Sequence, residues 1–374
     1  MIYLDYAANA PVAKEVLDAF NEATIKYFAN PNSTHKLGLE AKNRIDKASK
    51  NIANYLGVSE DEVIYTSGAS ESNNLVIQGI CNRYKSRGKH IIISKLEHSS
   101  IVAPASYMQS LGFDVDLVSV NKDGIIDIEE LKSLIRDDTI LVSITSVDSE
   151  LGIRQPIEEI GKMLKEYPNI YFHTDASQII GKDHIDLTNV DLVTIAPHKF
   201  YGINGFGLLV KRKEIGLVPI IYGGKSTTIF RSGTPVTAQI VALDKALELA
   251  TTKLDERKAY IKELHDYVIE KLKERNFVIN STSNSIPNTI NFSVRGVVSN
   301  DFVKLLGEKD VYISSKTSCC PENIPSKSIY ALTNDKTLAN SSMRISLSHL
   351  TKKEELDEFF RIFDETLETY NGKE

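Results

Sequence analysis

Between Glu62 and Val210, short apolar runs of strand length recur at Glu62 to Tyr65, His90 to Ser94, Phe113 to Val120, Thr139 to Ser146, Asn169 to Gln178, Asp191 to Ile195 and Leu208 to Val210. Helical periodicity fills intervals between them, as over Asn73 to Tyr84 and Ile128 to Leu134. Parallel strands need long crossovers, usually helices, so this alternation predicts a mostly parallel sheet covered by helices on both faces. In such a sheet, ligands gather outside the carboxyl ends of the strands.

Two of those ends carry a chemical pairing. The run Asp191 to Ile195 leads into Ala196-Pro197-His198-Lys199 and then a glycine-rich turn with Gly202, Gly205 and Gly207, which sets a lysine amine at a sheet mouth. The run NIYFHTDASQ ends in His173, Asp175 and Gln178. Pyridoxal phosphate is an aldehyde that forms a Schiff base with a lysine, and a carboxylate must keep its pyridine nitrogen protonated for the ring to accept electrons. Lys199 and Asp175 suit those two tasks. A third element is Thr66-Ser67-Gly68-Ala69-Ser70-Glu71, small and hydroxyl residues between a strand and a helix. Outward amides and the helix dipole would favour a phosphate there, while a side-chain N-cap by Ser67 or Ser70 is the plainer alternative.

The ends of the chain supply the rest of the frame. Val12 to Phe28 and Ala41 to Leu56 have helical spacing, the second stopping at Gly57, and the turn-rich Ala29 to His35 separates them. A helical stretch from Ala238 crosses the charged segment Lys253 to Lys258, which we place at a domain boundary. The expected large domain is 13–254, and 1–12 joins 255–374 as a smaller α+β domain with strands at Thr289 to Ser293, Val311 to Ser314 and Met343 to Leu347. Thr351 to Glu354 reads as a capping box, and Leu356, Phe359, Phe360, Phe363 and Leu367 as the apolar stripe of a final helix.

Composition narrows the function classes. A formal net charge of −6 argues against direct nucleic-acid binding, and no apolar run approaches the roughly 18 residues of a membrane span. The start Met1-Ile2-Tyr3-Leu4-Asp5 has no signal-peptide pattern, so a cytoplasmic address is expected. The three cysteines, Cys81, Cys319 and Cys320, suggest reduced thiols, not a disulfide framework. Cys81 lies on an apolar helical face. Cys319 and Cys320 lie in the polar run ISSKTSCCPENIPS, where the polar neighbours disfavour core packing and a bond between adjacent cysteines would be strained.

These stretches, from Tyr3-Leu4-Asp5 to Arg344-Ile345-Ser346-Leu347, resemble the NifS-like cysteine desulfurases of the class V aminotransferase fold over nearly the whole chain. The resemblance implies an aspartate-aminotransferase-like fold and a pyridoxal-phosphate enzyme. It would take sulfur from L-cysteine, release L-alanine and carry a persulfide on Cys319. Lys199, Cys319 and His98 would be catalytic, His98 stacking on the ring. Ala69 and Ser70 would lie at the phosphate, Asp175 at the ring nitrogen, Gln178 near the phenolic oxygen, and His198 beside Lys199. Arg344 would hold the substrate carboxylate, with a structural salt bridge as its alternative, and Thr234 would reach the cofactor phosphate of a partner subunit, implying a homodimer.

Several positions depart from the family pattern. Ser149 stands where an asparagine is usual, Ala196 where a phosphate-binding serine is usual, Lys316 replaces the glycine of an SSGSAC-type motif, and Gly223 to Thr227 replaces GGGQE. Lys316 would raise the thiolate fraction of Cys319, and Cys320 is a candidate sulfur relay. The sulfur would pass to an acceptor protein for iron-sulfur assembly, tRNA thiolation or DNA phosphorothioation. Selenocysteine lysis, another class V reaction and a non-catalytic scaffold are the rival functions.

Overall fold

The computed structural model describes residues 1–224, 226–316 and 324–371. In chain order, β1 (Ile2–Tyr3) is followed by α1 (Lys14–Lys26), α2 (Lys36–Leu56), β2 (Val63–Thr66), α3 (Ala69–Tyr84), β3 (His90–Ser94), α4 (Ser99–Ser110), β4 (Asp114–Val118) and α5 (Ile128–Leu134). Next come β5 (Thr139–Ser143), α6 (Ile157–Leu164), β6 (Tyr171–Asp175), β7 (Leu192–Ile195), β8 (Gly207–Lys211), α7 (Thr237–Thr252) and α8 (Leu254–Glu274). The last elements are β9 (Val278–Ile279), β10 (Thr289–Ser293), α9 (Ser299–Gly307), β11 (Val311–Tyr312), α10 (Lys327–Thr333), α11 (Lys336–Ser341), β12 (Ser342–Ser346) and α12 (Lys353–Asn371).

The main sheet has seven strands in the order β2-β8-β7-β6-β5-β3-β4. Its neighbours are parallel except where β8 pairs antiparallel with β7 and β2. Strand periodicity splits its side chains between two layers. Ile92, Val142, Phe172 and Val193 pack with Val16, Ile45 and Ile52 on one face, whereas Ile91, Ile93, Leu141 and Leu192 pack with Leu75, Ile77 and Ile101 on the other. Burial on both faces explains why these strands read as unbroken apolar runs. At the edge, β4 instead carries Asp114 and Asp116, which suits a strand with one side open to water.

A separate core joins Ile2 and Leu4 to Leu264, Phe292, Phe302, Met343 and the α12 stripe of Leu356, Phe359, Phe360 and Phe363. There β1 pairs with β11, and β10 lies between β9 and β12. The isolated bridges Asp5 to Ser346 and Ser314 to Arg344 tie the N-terminal segment and β11 to β12.

Several expected boundaries move for local reasons. Helix α2 begins at Lys36 because the His35 ring caps it, accepting from Gly38 N at 3.3 Å. Gly38 fits that turn only without a side chain, since a Cβ would stand 2.4 Å from Ser33 O. Helix α3 begins at Ala69, well before Asn73, and the single long helix expected through the charged segment is two helices meeting at Lys253. The capping pattern at α12 is one residue later than the sequence suggests: Glu355 accepts from Lys352 N at 2.9 Å, and Thr351 accepts instead from Ser348 N at 3.1 Å.

Candidate active site

Because β7, β6, β5 and β3 lie side by side, the segments leaving their carboxyl ends meet above the sheet. They line a cavity of about 400 Å³ that contains Lys199, His198, Asp175, Gln178, Ser149 and His98, together with Ala69, Ser70 and Arg344. The expected site residues named here are therefore brought together. His173 is not among them: it is buried within β6, its ring held by Ser143 Oγ at 2.8 Å and Thr194 Oγ1 at 3.0 Å. Burial holds its pKa down to about 4, although Asp175 opposes this, so the ring is neutral.

The buried Asp175 carboxylate is fixed by two donors. Ser177 N reaches Oδ1 at 2.9 Å and Asn73 Nδ2 reaches Oδ2 at 2.9 Å. Asn73 Nδ2 also donates to Ser100 Oγ at 2.8 Å, and Ser100 Oγ lies 2.8 Å from His98 Nδ1. Ser100 N donates to the same Nδ1 at 3.2 Å, so Nδ1 accepts and a neutral ring carries its proton on Nε2. Burial, helped by Lys199 and opposed by Asp175, lowers the His98 pKa and favours that neutral form.

At the head of α3 no serine caps the helix. Gly68 is the N-cap, without a side-chain hydrogen bond, and its φ of 155° is one that residues with a side chain rarely adopt. Gly207 packs so closely that a Cβ there would lie 2.6 Å from Gly68 Cα. Helix geometry leaves the first amides of α3 without intrahelical carbonyls. Glu71 accepts from Ser67 N at 2.7 Å and from Arg231 Nε at 2.9 Å. Burial alone would raise the Glu71 carboxyl, but Arg231 and Ser67 hold it below its ordinary value.

The N-terminal segment closes the opposite end of the lysine. Lys199 Nζ donates to Ala7 O at 3.0 Å and Ala8 O at 2.6 Å, and Gln178 Nε2 donates to Ala7 O at 3.0 Å. Burial, then Lys199 and Lys182, depress His198 to about 4.

Arg344 approaches from β12 and is 1 % exposed. Its Nη1 donates to Ser149 O at 2.7 Å, and its Nη2 to Asp5 Oδ1 at 2.7 Å and Ser314 Oγ at 3.2 Å. The salt bridge therefore exists, yet Arg344 also lines the cavity, and its buried Nε has no partner among the described residues. The carboxylates flanking Ser149 secure the chain after the cysteine run, since Ser328 Oγ donates to Asp148 at 3.0 Å and Ser326 Oγ donates to Glu150. Cys319 and Cys320 lie outside the described residues, as does Lys225. Lys316 Nζ donates to Ile324 O at 2.7 Å. Thr234 lines a neighbouring cleft with Ser67, Phe206 and Arg231, not this cavity. Cys81 is buried in the helix-sheet core, and burial pushes its thiol up to about 12.

Asn73, Ser100, Asp5 and Lys182 were not legible as site residues. Asn73 sits among buried residues of α3, and a lone polar side chain on an apolar face was the available signal. Lys182 carried none, because lysines are ordinarily exposed.

The donor set fits pyridoxal phosphate. A buried carboxylate stands ready for a pyridinium, a lysine amine shares its cavity, and an uncapped helix start offers amides to a phosphate. Ser177 Oγ is buried there without a partner among the described residues, leaving a donor for an added acceptor.

The family model for class V aminotransferases matches residues 2–359. Cysteine desulfurase IscS of Dictyoglomus turgidum is 38% identical over 373 residues, covering 98% of this chain and 94% of that one. A solved NifS-like protein superimposes with a TM-score of 0.93 at 31% identity, covering 98% of this chain and 99% of that chain. A structure described as SspA in complex with cysteine gives a TM-score of 0.82 at 32% identity, covering 94% and 100%.

Proposed function

The chain belongs to the class V aminotransferase family and is a cysteine desulfurase, and from that premise we propose that it acts through pyridoxal phosphate held in this cavity to move sulfur from L-cysteine onto Cys319. The convergence of Asp175, Lys199, His98 and Arg344 on one cavity carries this reading. The relative bound to cysteine supports the substrate.

Pyridoxal phosphate, when bound, supplies a protonated ring that withdraws electrons from the substrate α-carbon and weakens its bond to sulfur. Asp175 would hold the ring nitrogen's proton, with Asn73 and Ser177 N fixing the carboxylate. Ala69 and Ser70 at the α3 start would take the phosphate. Gln178 would donate to the phenolic oxygen, His98 would stack on the ring and assist proton transfer, and His198 would lie beside Lys199. Lys199 would anchor the cofactor and then move the proton at the substrate α-carbon. Arg344 would orient the substrate carboxylate, with Ser149 beside it.

The Cys319 thiolate would attack the substrate sulfur, so the carbon–sulfur bond breaks as a sulfur–sulfur bond forms, leaving a persulfide and, after protonation, L-alanine. That sulfur would go to an acceptor protein. Thr234, in the neighbouring cleft, would reach the phosphate site of a partner subunit in a homodimer, as the family resemblance implies. The two cores support a division into 13–254 and 1–12 with 255–374. Among the described residues, no helix is long and apolar enough to cross a membrane.

Alanine release from L-cysteine with a reductant tests the reading. Release by the intact protein and none by Cys319→Ser is expected, and no alanine from either, despite cofactor binding, would overturn it.

A further inference from the structure

Lys182 is a lysine where the fold gives a lysine little reason to be. It lies seven residues beyond the end of β6 and is 8% exposed. Its Nζ donates to Gln178 Oε1 at 2.5 Å. Among the described residues lining the small cavity beside it, which include Lys199, Arg257 and His349, there is no carboxylate. Burial, with Lys199 and Arg344 adding repulsion, lowers its pKa to about 7. A buried cation without a counter-charge is costly, and the acceptor it meets is a neutral amide.

That contact decides which way the amide points. A lysine amine has N–H donors in either charge state and, when charged, no acceptor, and here it donates to the oxygen of Gln178. Gln178 Nε2 is thereby turned the other way, where it donates to Ala7 O at 3.0 Å, the same carbonyl that accepts from Lys199 at 3.0 Å. Reversing the amide would set its N–H groups against the ammonium and its oxygen against Ala7 O.

We propose that Lys182 is a positioning residue: by holding the Gln178 oxygen it keeps the amide N–H directed at Ala7 and at the cofactor's phenolic oxygen. This rests on the cofactor site proposed above. A donor on the phenolic oxygen lowers its basicity, and with it the grip on the nearby proton whose loss changes the bound cofactor's visible absorption. Loss of Lys182 removes one of the two contacts that set the amide's orientation, leaving it freer to turn and weakening that donor.

The test is a pH titration of the visible absorption of the cofactor-loaded protein, for the intact chain, Lys182→Met, Gln178→Ala and the double variant. Lys182→Met is expected to raise the midpoint by about half to one pH unit, the scale of one hydrogen bond. In the Gln178→Ala background the same change is expected to move it by less than half as much. Equal shifts in both backgrounds would mean that the lysine acts by charge alone and would overturn the proposal, as would no shift. If Lys182→Met does not fold, Lys182→Leu, which also removes the donor, takes its place under the same comparison of backgrounds. A protein that gains no visible absorption with pyridoxal phosphate would contradict the cofactor reading itself, a different outcome from an unmoved midpoint.

Discussion

On one side of the cavity, His98, Ser149, Asp175 and Lys199 leave the ends of adjacent strands of a single sheet, so the hydrogen bonds of that sheet set their spacing. On the other side, Arg344 comes from a strand of the smaller sheet and reaches the cavity through Asp5, Ser314 and the Ser149 carbonyl. On the proposed function, the first arrangement would hold a cofactor still. The second joins the N-terminal segment, β12 and the chain near the cysteines, the parts from which substrate and thiol would be delivered. The difference predicts that the two sides fail separately: cofactor binding on one, substrate handling on the other.

The largest effect should come from Lys199. Lys199→Ala is expected to lower alanine release by about 10³-fold or more and to abolish the borohydride-sensitive visible absorption, with the circular dichroism unchanged. Retained turnover would remove the lysine from the centre of the account.

A smaller effect should appear in stability at the seam between the sides. Burial, then Glu150, raises the Asp148 carboxyl to about 6. The folded state therefore binds this proton more tightly than the unfolded chain, so stability falls as pH rises from about 4 to 6 and stays lowered above that. Asp148→Asn should remove this slope and stabilise the protein by up to about 3 kcal/mol at pH 7. An amide there can still accept from Glu150 N and Leu151 N and donate to Ser328 Oγ. Denaturant unfolding across that pH range provides the check, and an unchanged slope would contradict the assignment.

The smallest effect sharpens the comparison most. Arg344→Lys keeps a positive charge but loses the planar fork, and we expect KM for L-cysteine to rise about tenfold with the visible absorption unaltered. Loss of cofactor along with substrate affinity would show that the sides are not independent.

The sheet and its ligand-bearing edge were legible because two-sided burial leaves apolar runs, and because Lys199 and Asp175 end two of them. The start of α3 was misplaced since its signal lies in the φ of Gly68 and its approach to Gly207, neither of which leaves a periodic trace. Likewise, the couplings from Asn73 to Asp175, Lys182 to Gln178 and Asp5 to Arg344 left no periodic trace, the first and last spanning long sequence separations and the second only four residues. The first and last depend on how distant elements pack, and the second on burial of a residue type that is rarely buried.

The most direct measurement is peptide mass spectrometry after incubation with L-cysteine without reductant. The account predicts the mass of one added sulfur on Cys319 in the intact protein and none in Lys199→Ala, because the thiol needs the cofactor side to loosen the substrate's sulfur. Sulfur on Cys319 in Lys199→Ala at the intact level, or sulfur on Cys320 alone in the intact protein, would contradict it.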